Sequence, residues 1–107
     1  MGTLSKYMVV GGAPLAAQYV DSLSLASGVA ETVTPDQGAN VVLLAADADF
    51  WVRWDAGTAT IPASDVTDGS AAEMNPDWRS LEGVTTFSVI ADVAAVLTLA
   101  FYGTPPS

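Results

Sequence analysis

The side chains best equipped for chemistry cluster in one segment. Asp65, Asp68, Glu73, Asn75 and Asp77 place five oxygen donors within thirteen residues, and Gly69 allows a sharp turn among them. Hard oxygens at that density suit calcium, which takes roughly six to eight. The spacing is not that of an EF-hand loop, in which acids alternate ahead of an invariant glycine. It better suits a solvated loop whose Asp and Asn side chains cap their own turns. Asp47 and Asp49, on either side of Ala48, invite comparison with the two carboxylates of a glycosidase. Acids between two strands are also ordinary turn formers, and a chain this small has little room for a sugar cleft. Trp51, Trp54 and Trp78 are the third candidate group. Such rings stack on sugars or bases in binding modules, and they also fill cores and subunit interfaces, the role preferred here.

Other chemistry lacks its parts. The chain has no cysteine and no histidine, which removes disulfides, thiolate catalysis, Cys-type zinc sites and the commonest general base. Ser and Thr are plentiful, but no base stands ready to activate one. Gly11-Gly12 lacks the Lys-Ser/Thr and the helix of a phosphate loop. The reading is a non-enzymatic protein with no catalytic residues, no cofactor and no metal.

Charge narrows the partners. Twelve acids against Lys6, Arg53 and Arg79 give a net charge of −9. Three scattered cations cannot form a counterion-releasing stripe on a phosphate backbone, and an anionic membrane repels such a chain. No direct nucleic-acid or membrane contact is expected. The acidity keeps an apolar domain in solution, or offers an acidic face to a basic partner. Half of the residues are hydrophobic and 14% are charged, against about a quarter charged in typical soluble domains. Subunit contacts would account for that surplus, so a homo-oligomer is expected, with a trimer as the favoured form.

The elements that must hold these residues read as β throughout. Phe50, Val52 and Trp54 alternate with Trp51, Arg53 and Asp55, and period-two spacing sends the two sets to opposite faces of a sheet. The first set is core. The second mixes an aromatic ring, a cation and an acid, as a partly solvated face does. Ala56-Gly57 turns the chain, which predicts Thr58-Ala59-Thr60-Ile61 as a hairpin partner. Val41-Val42-Leu43-Leu44 is apolar on both faces, as in a strand covered on both sides. Residues 29–34 form a β-branched run that stops at the turn chemistry of Pro35-Asp36-Gln37-Gly38. Residues 85–91 and 95–102 make two more strands, with Phe87, Val89 and Ala91 on one face and Leu97, Leu99 and Phe101 on another. Phe50, Val52, Trp54, Leu97, Leu99 and Phe101 are expected in one core. Residues 62–77 form the longest irregular stretch, a length that is uncommon in compact domains.

The fold class is therefore all-β, a small β-sandwich or barrel of seven to eight short strands with an extended N-terminal arm. Residues 1–27 are the arm and first strand, 28–103 the sandwich and 104–107 a flexible tail. Residues 1–27, poor in charge and broken at Gly11-Gly12 and Pro14, suit an assembly arm outside the core that adds a strand to a neighbour's sheet edge, although residues 18–27 suit an ordinary first strand of the same domain nearly as well. The same breaks interrupt a stretch that otherwise imitates a signal peptide, so export is not expected.

Asp49-Phe50-Trp51-Val52-Arg53-Trp54, Ala59-Thr60-Ile61-Pro62-Ala63-Ser64-Asp65 and Val96-Leu97-Thr98-Leu99-Ala100-Phe101-Tyr102 together resemble, in this order, the small β-sandwich virion structural proteins of tailed bacteriophages and prophages. The likeness covers roughly residues 28–102 and carries no catalytic residues. It implies a place on the virion's capsid surface, as a decoration or cement protein or a head-fibre component. It also implies partners in the chain itself and in a major capsid or other virion protein, with a trimer suited to a capsid's local threefold. The reading from a different class is a carbohydrate- or calcium-binding β-sandwich that uses Trp51 or residues 65–77.

Overall fold

A computed structural model describes residues 9–10, 13–14, 19–35 and 38–103. Among these described residues ten strands follow one another: β1 (Val9–Val10), β2 (Ala13–Pro14), β3 (Tyr19–Leu25), β4 (Glu31–Val33), β5 (Ala39–Ala46), β6 (Phe50–Arg53), β7 (Glu73–Met74), β8 (Trp78–Ser80), β9 (Phe87–Ala91) and β10 (Ala95–Gly103). β1 and β2 pair with each other. The other eight form two four-stranded sheets, β3-β10-β5-β8 and β4-β9-β6-β7, with every pairing antiparallel. This is the all-β sandwich that the strand spacing predicts. Tyr19–Leu25 is its first strand, at the edge of one sheet, and Leu25 is buried in the core. This part of the expected arm therefore belongs to the sandwich, because its apolar positions pair with β10. Most of residues 1–17 and all of 104–107 lie outside the described residues.

The core forms where the inward positions of the two sheets meet. Val42, Val52, Phe87, Val89, Leu97, Leu99 and Phe101 are fully enclosed, and Phe50, Leu44 and Leu25 join them. The alternation across Phe50–Arg53 has the predicted phase, since Phe50 and Val52 are buried while Trp51 and Arg53 are half-buried. Trp54 lies just past the end of β6 and packs on the margin of the core rather than inside it. Its ring meets Phe87 at 4.8 Å between centroids, tilted by 42°.

The hairpin expected after Ala56-Gly57 does not form. Residues 55–61 are not a strand, and β6 pairs with β9 on one side and β7 on the other. The segment instead lies over the outer face of the β4-β9-β6-β7 sheet. There the Ala59 N–H donates to Ser88 Oγ at 2.9 Å, and Ala59, Ser88 and Ile90 are all buried. The physical reason is visible in β9, whose residues are buried on both faces. A polar Ser88 in that position needs a partner, because an unpaired buried hydroxyl is costly. The backbone of 55–61 provides it.

Residues 62–77 are not irregular throughout, because Glu73–Met74 is a strand, and Trp78–Ser80 directly after them is another. Each is short and carries a charged residue, so neither shows the apolar alternation by which strands are read.

Candidate functional site

The acidic segment does not converge. Asp68 accepts from the backbone N–H and hydroxyl of Ser70, at 3.0 and 2.6 Å, an Asx-type turn of its own. Those bonds hold its carboxyl below the usual carboxylate range. Asn75 has a positive φ of 49° and clips the start of β6. Its side-chain oxygen accepts the Phe50 N–H at 3.0 Å, and its own N–H donates to the Phe50 carbonyl at 2.8 Å. Asn adopts this left-handed backbone more readily than most residues. The carbonyl of Asp77 accepts the Leu44 N–H at 2.9 Å, which ties the segment to β5. Asp65 is exposed. Among the described residues no three His, Cys, Asp or Glu side chains stand close enough to hold a metal ion together.

Asp47 and Asp49 border an open depression of about 550 Å³ at the end of the sandwich. Asp47 accepts the Val96 N–H at 2.9 Å, and Asp49 accepts from the Asn75 amide at 3.0 Å. Both carboxylates therefore hold the connection between β5 and β6 to its surroundings, as turn acids do.

Among the described residues, Glu73 is the acid whose side chain bonds across the two sheets. Arg79, on β8 of the opposite sheet, donates to it through Nε at 3.1 Å and also through Nη2, while the Trp54 indole N–H donates at 2.9 Å. The Arg79 guanidinium holds the Glu73 carboxyl below its ordinary range; partial burial opposes this and the Trp54 bond assists it. A carboxyl depressed in the folded state contributes stability that is complete above its unfolded value and lost as pH falls through its folded value. The melting-temperature gap between wild type and Glu73→Gln should therefore be widest near pH 7 and close as pH falls below about 4. Thermal scans across that range check it, and a gap independent of pH would mean that the charge of this exposed-edge pair adds nothing, as surface pairs often do.

The surface that stands out is the outer face of the β3-β10-β5-β8 sheet. Strand register sets one row straight across it, Val20 beside Ala100, Ala100 beside Leu43, Leu43 beside Trp78. Neighbouring rows hold Tyr102 beside Val41 and Ser80, and Ser22 beside Thr98 and Ala45. None of the residues that face outward on these four strands is charged, on a chain of net charge −9. Trp78 is 48% exposed, Val20 57% and Val96 44%. The Trp78 ring rests on Tyr102 at 5.4 Å between centroids. Val42 and Leu44 point inward and are buried, whereas Val41 and Leu43 on this outer face are only half-buried. The sequence reading has β5 covered on both faces, and among the described residues the outer side is covered only in part. Val20, Leu43 and Tyr102 are not singled out by sequence reasoning. The signal for them was the apolar run itself, once a pairing scheme shows which side lacks a cover.

Comparison of the chain with known protein families, with curated proteins and with solved structures finds no match.

Proposed function

We propose that this protein is a non-enzymatic structural module that works by self-assembly, as a capsid decoration, cement or head-fibre component on the surface of a tailed-bacteriophage virion. The observation that carries the reading is the uncharged outer face of the β3-β10-β5-β8 sheet, set in a strongly acidic chain. Apolar faces with aromatic residues and depleted charge characterise the centres of protein interfaces, and an exposed patch of this kind on a small domain marks a contact surface. On the opposite outer face, residues 55–61 cover the sheet around Ser88 and β6 presents the charged Arg53, which leaves the β3-β10-β5-β8 face as the broad uncharged one. The virion assignment draws on the resemblance of residues 28–102 to phage β-sandwich proteins, and the acidic remainder of the surface suits a part that faces away from packaged DNA.

Native mass spectrometry at micromolar concentration tests the assembly reading, with a homo-oligomer as the expected result. A monomer at that concentration would remove it. The virion reading predicts that the coding sequence lies beside those of a major capsid or portal protein, and a neighbourhood of metabolic genes would count against it.

A further inference from the structure

We propose that the outer face of the β3-β10-β5-β8 sheet binds the same face of a second copy, through a two-fold axis parallel to the strands. The inference rests on the assembly reading above and adds which surface meets which, and in what register.

The argument starts from the row Val20, Ala100, Leu43, Trp78, which crosses all four strands in that order. A two-fold parallel to the strands reverses strand order and preserves position along the strands. It lays β3 of one copy over β8 of the other, and β10 over β5. Each Trp78 then meets Val20 of the other copy, and each Leu43 meets Ala100. A large side chain faces a smaller one at every point of the row, the arrangement by which facing layers interdigitate without voids. The row thus complements its own reversal, which is the requirement of an isologous contact.

Charge selects the same partner. Two chains of net charge −9 repel each other, and they approach at least cost where neither presents a charge. A basic partner would find no counter-charge on this face. Sheets stacked face to face lie about 10 Å apart, and four strands spaced about 4.8 Å by seven residues of about 3.3 Å cover on the order of 450 Å². Two such footprints give about 900 Å² before the surrounding loops are added, near the lower limit for specific complexes. The contact should therefore be reversible, with a dissociation constant in the micromolar range. The threefold assembly suited to a capsid site would need a second, unlike patch, which this self-matching row does not supply.

Sedimentation equilibrium of the full chain tests the contact. Wild type should be a monomer–dimer system. Trp78→Lys should weaken dimerisation at least tenfold while leaving the far-UV circular dichroism native. Val66→Lys, at an exposed valine outside the four strands, should dimerise as wild type does. Adding Val20→Asp to Trp78→Lys should restore much of the loss, because the two-fold sets each lysine against the aspartate of the other copy. Should Trp78→Lys unfold, Val96→Lys, on the same face, takes its place in the comparison. A folded Trp78→Lys or Val96→Lys variant that dimerises as wild type does overturns the proposed face and leaves the assembly reading intact. Trimers or larger species in wild type overturn the two-fold contact and leave that reading intact as well. A double variant no tighter than Trp78→Lys overturns the register, and a wild-type monomer removes both inferences.

Discussion

Phe87→Ala should lower stability by about 3–5 kcal/mol, the usual cost of emptying a buried phenylalanine site. Phe87 is fully enclosed at the start of β9, the strand that lies between β4 and β6 in its sheet. Its ring also supports Trp54 at 4.8 Å, so truncation removes both the ring's burial and the surface on which the indole rests. A domain of this size is stable by roughly 5–15 kcal/mol, so the loss takes a large share of the whole. Urea titration should show the midpoint falling with little change in slope, and the tryptophan emission should move to longer wavelength as Trp54 gains water. Val66→Ala, at an exposed site, should stay within about 0.5 kcal/mol of wild type. An unmoved midpoint for Phe87→Ala would mean that the two sheets do not meet as described.

The second large effect is expected at Gly103, where β10 ends. The register of β10 against β5 shifts between Tyr102 and Gly103, and the two backbones come together there. A Cβ on residue 103 would overlap the Gly38 carbonyl oxygen and lie 2.8 Å from the Ala39 Cα. Backbone atoms in a sheet yield only by moving the strand, so Gly103→Ala should cost about 1–3 kcal/mol, as overpacking does. Gly57 provides the comparison. A Cβ there would meet the Arg53 guanidinium at 2.5 Å, the far end of a flexible side chain that can swing away, although its bond to Asp55 at 2.7 Å would be disturbed. Denaturant midpoints for the two variants should separate clearly, with Gly103→Ala the lower. If the two coincide, the close approach of β10 to β5 does not restrict residue 103.

What was legible in the residues was local. The alternation at Phe50–Arg53 fixes which side chains turn inward, and the β-branched and apolar runs at β4, β5, β9 and β10 locate four strands. Pairing was not legible. Thr58-Ala59-Thr60-Ile61 has the composition of a hairpin strand, yet its backbone is needed over Ser88, and nothing adjacent in sequence announces that need. β8 escaped notice because Trp78-Arg79-Ser80 pairs with β5 over only three residues, too few for a periodic signal. The acids admit a ligand reading beside the turn reading because Asp, Glu and Asn are the same residues that cap turns and clip strands. Only geometry separates Asn75, which holds the Phe50 backbone at 3.0 Å, from a side chain poised to bind an ion. The uncharged outer face was hidden for a related reason: Val41 and Leu43 look like core until strand order shows that, among the described residues, no second layer lies over them.

The order of strands also decides how the chain must fold. Of the strands in the two sheets, only β6 and β7 are neighbours both in sequence and in a sheet. β3 and β5 share a sheet but touch only through β10, which follows both of them by about fifty residues or more. A growing polypeptide that has exposed β3, β5 and β8 thus still lacks the central strand on which that sheet is built. Zippering of adjacent hairpins cannot start it, and loop closure over long stretches must precede the contacts that reward it. Refolding should be slow for so small a domain. During synthesis, the apolar run of β5 stays unpaired on its β10 side until β10 leaves the ribosome, an interval in which a chaperone or a neighbouring nascent chain could occupy that edge.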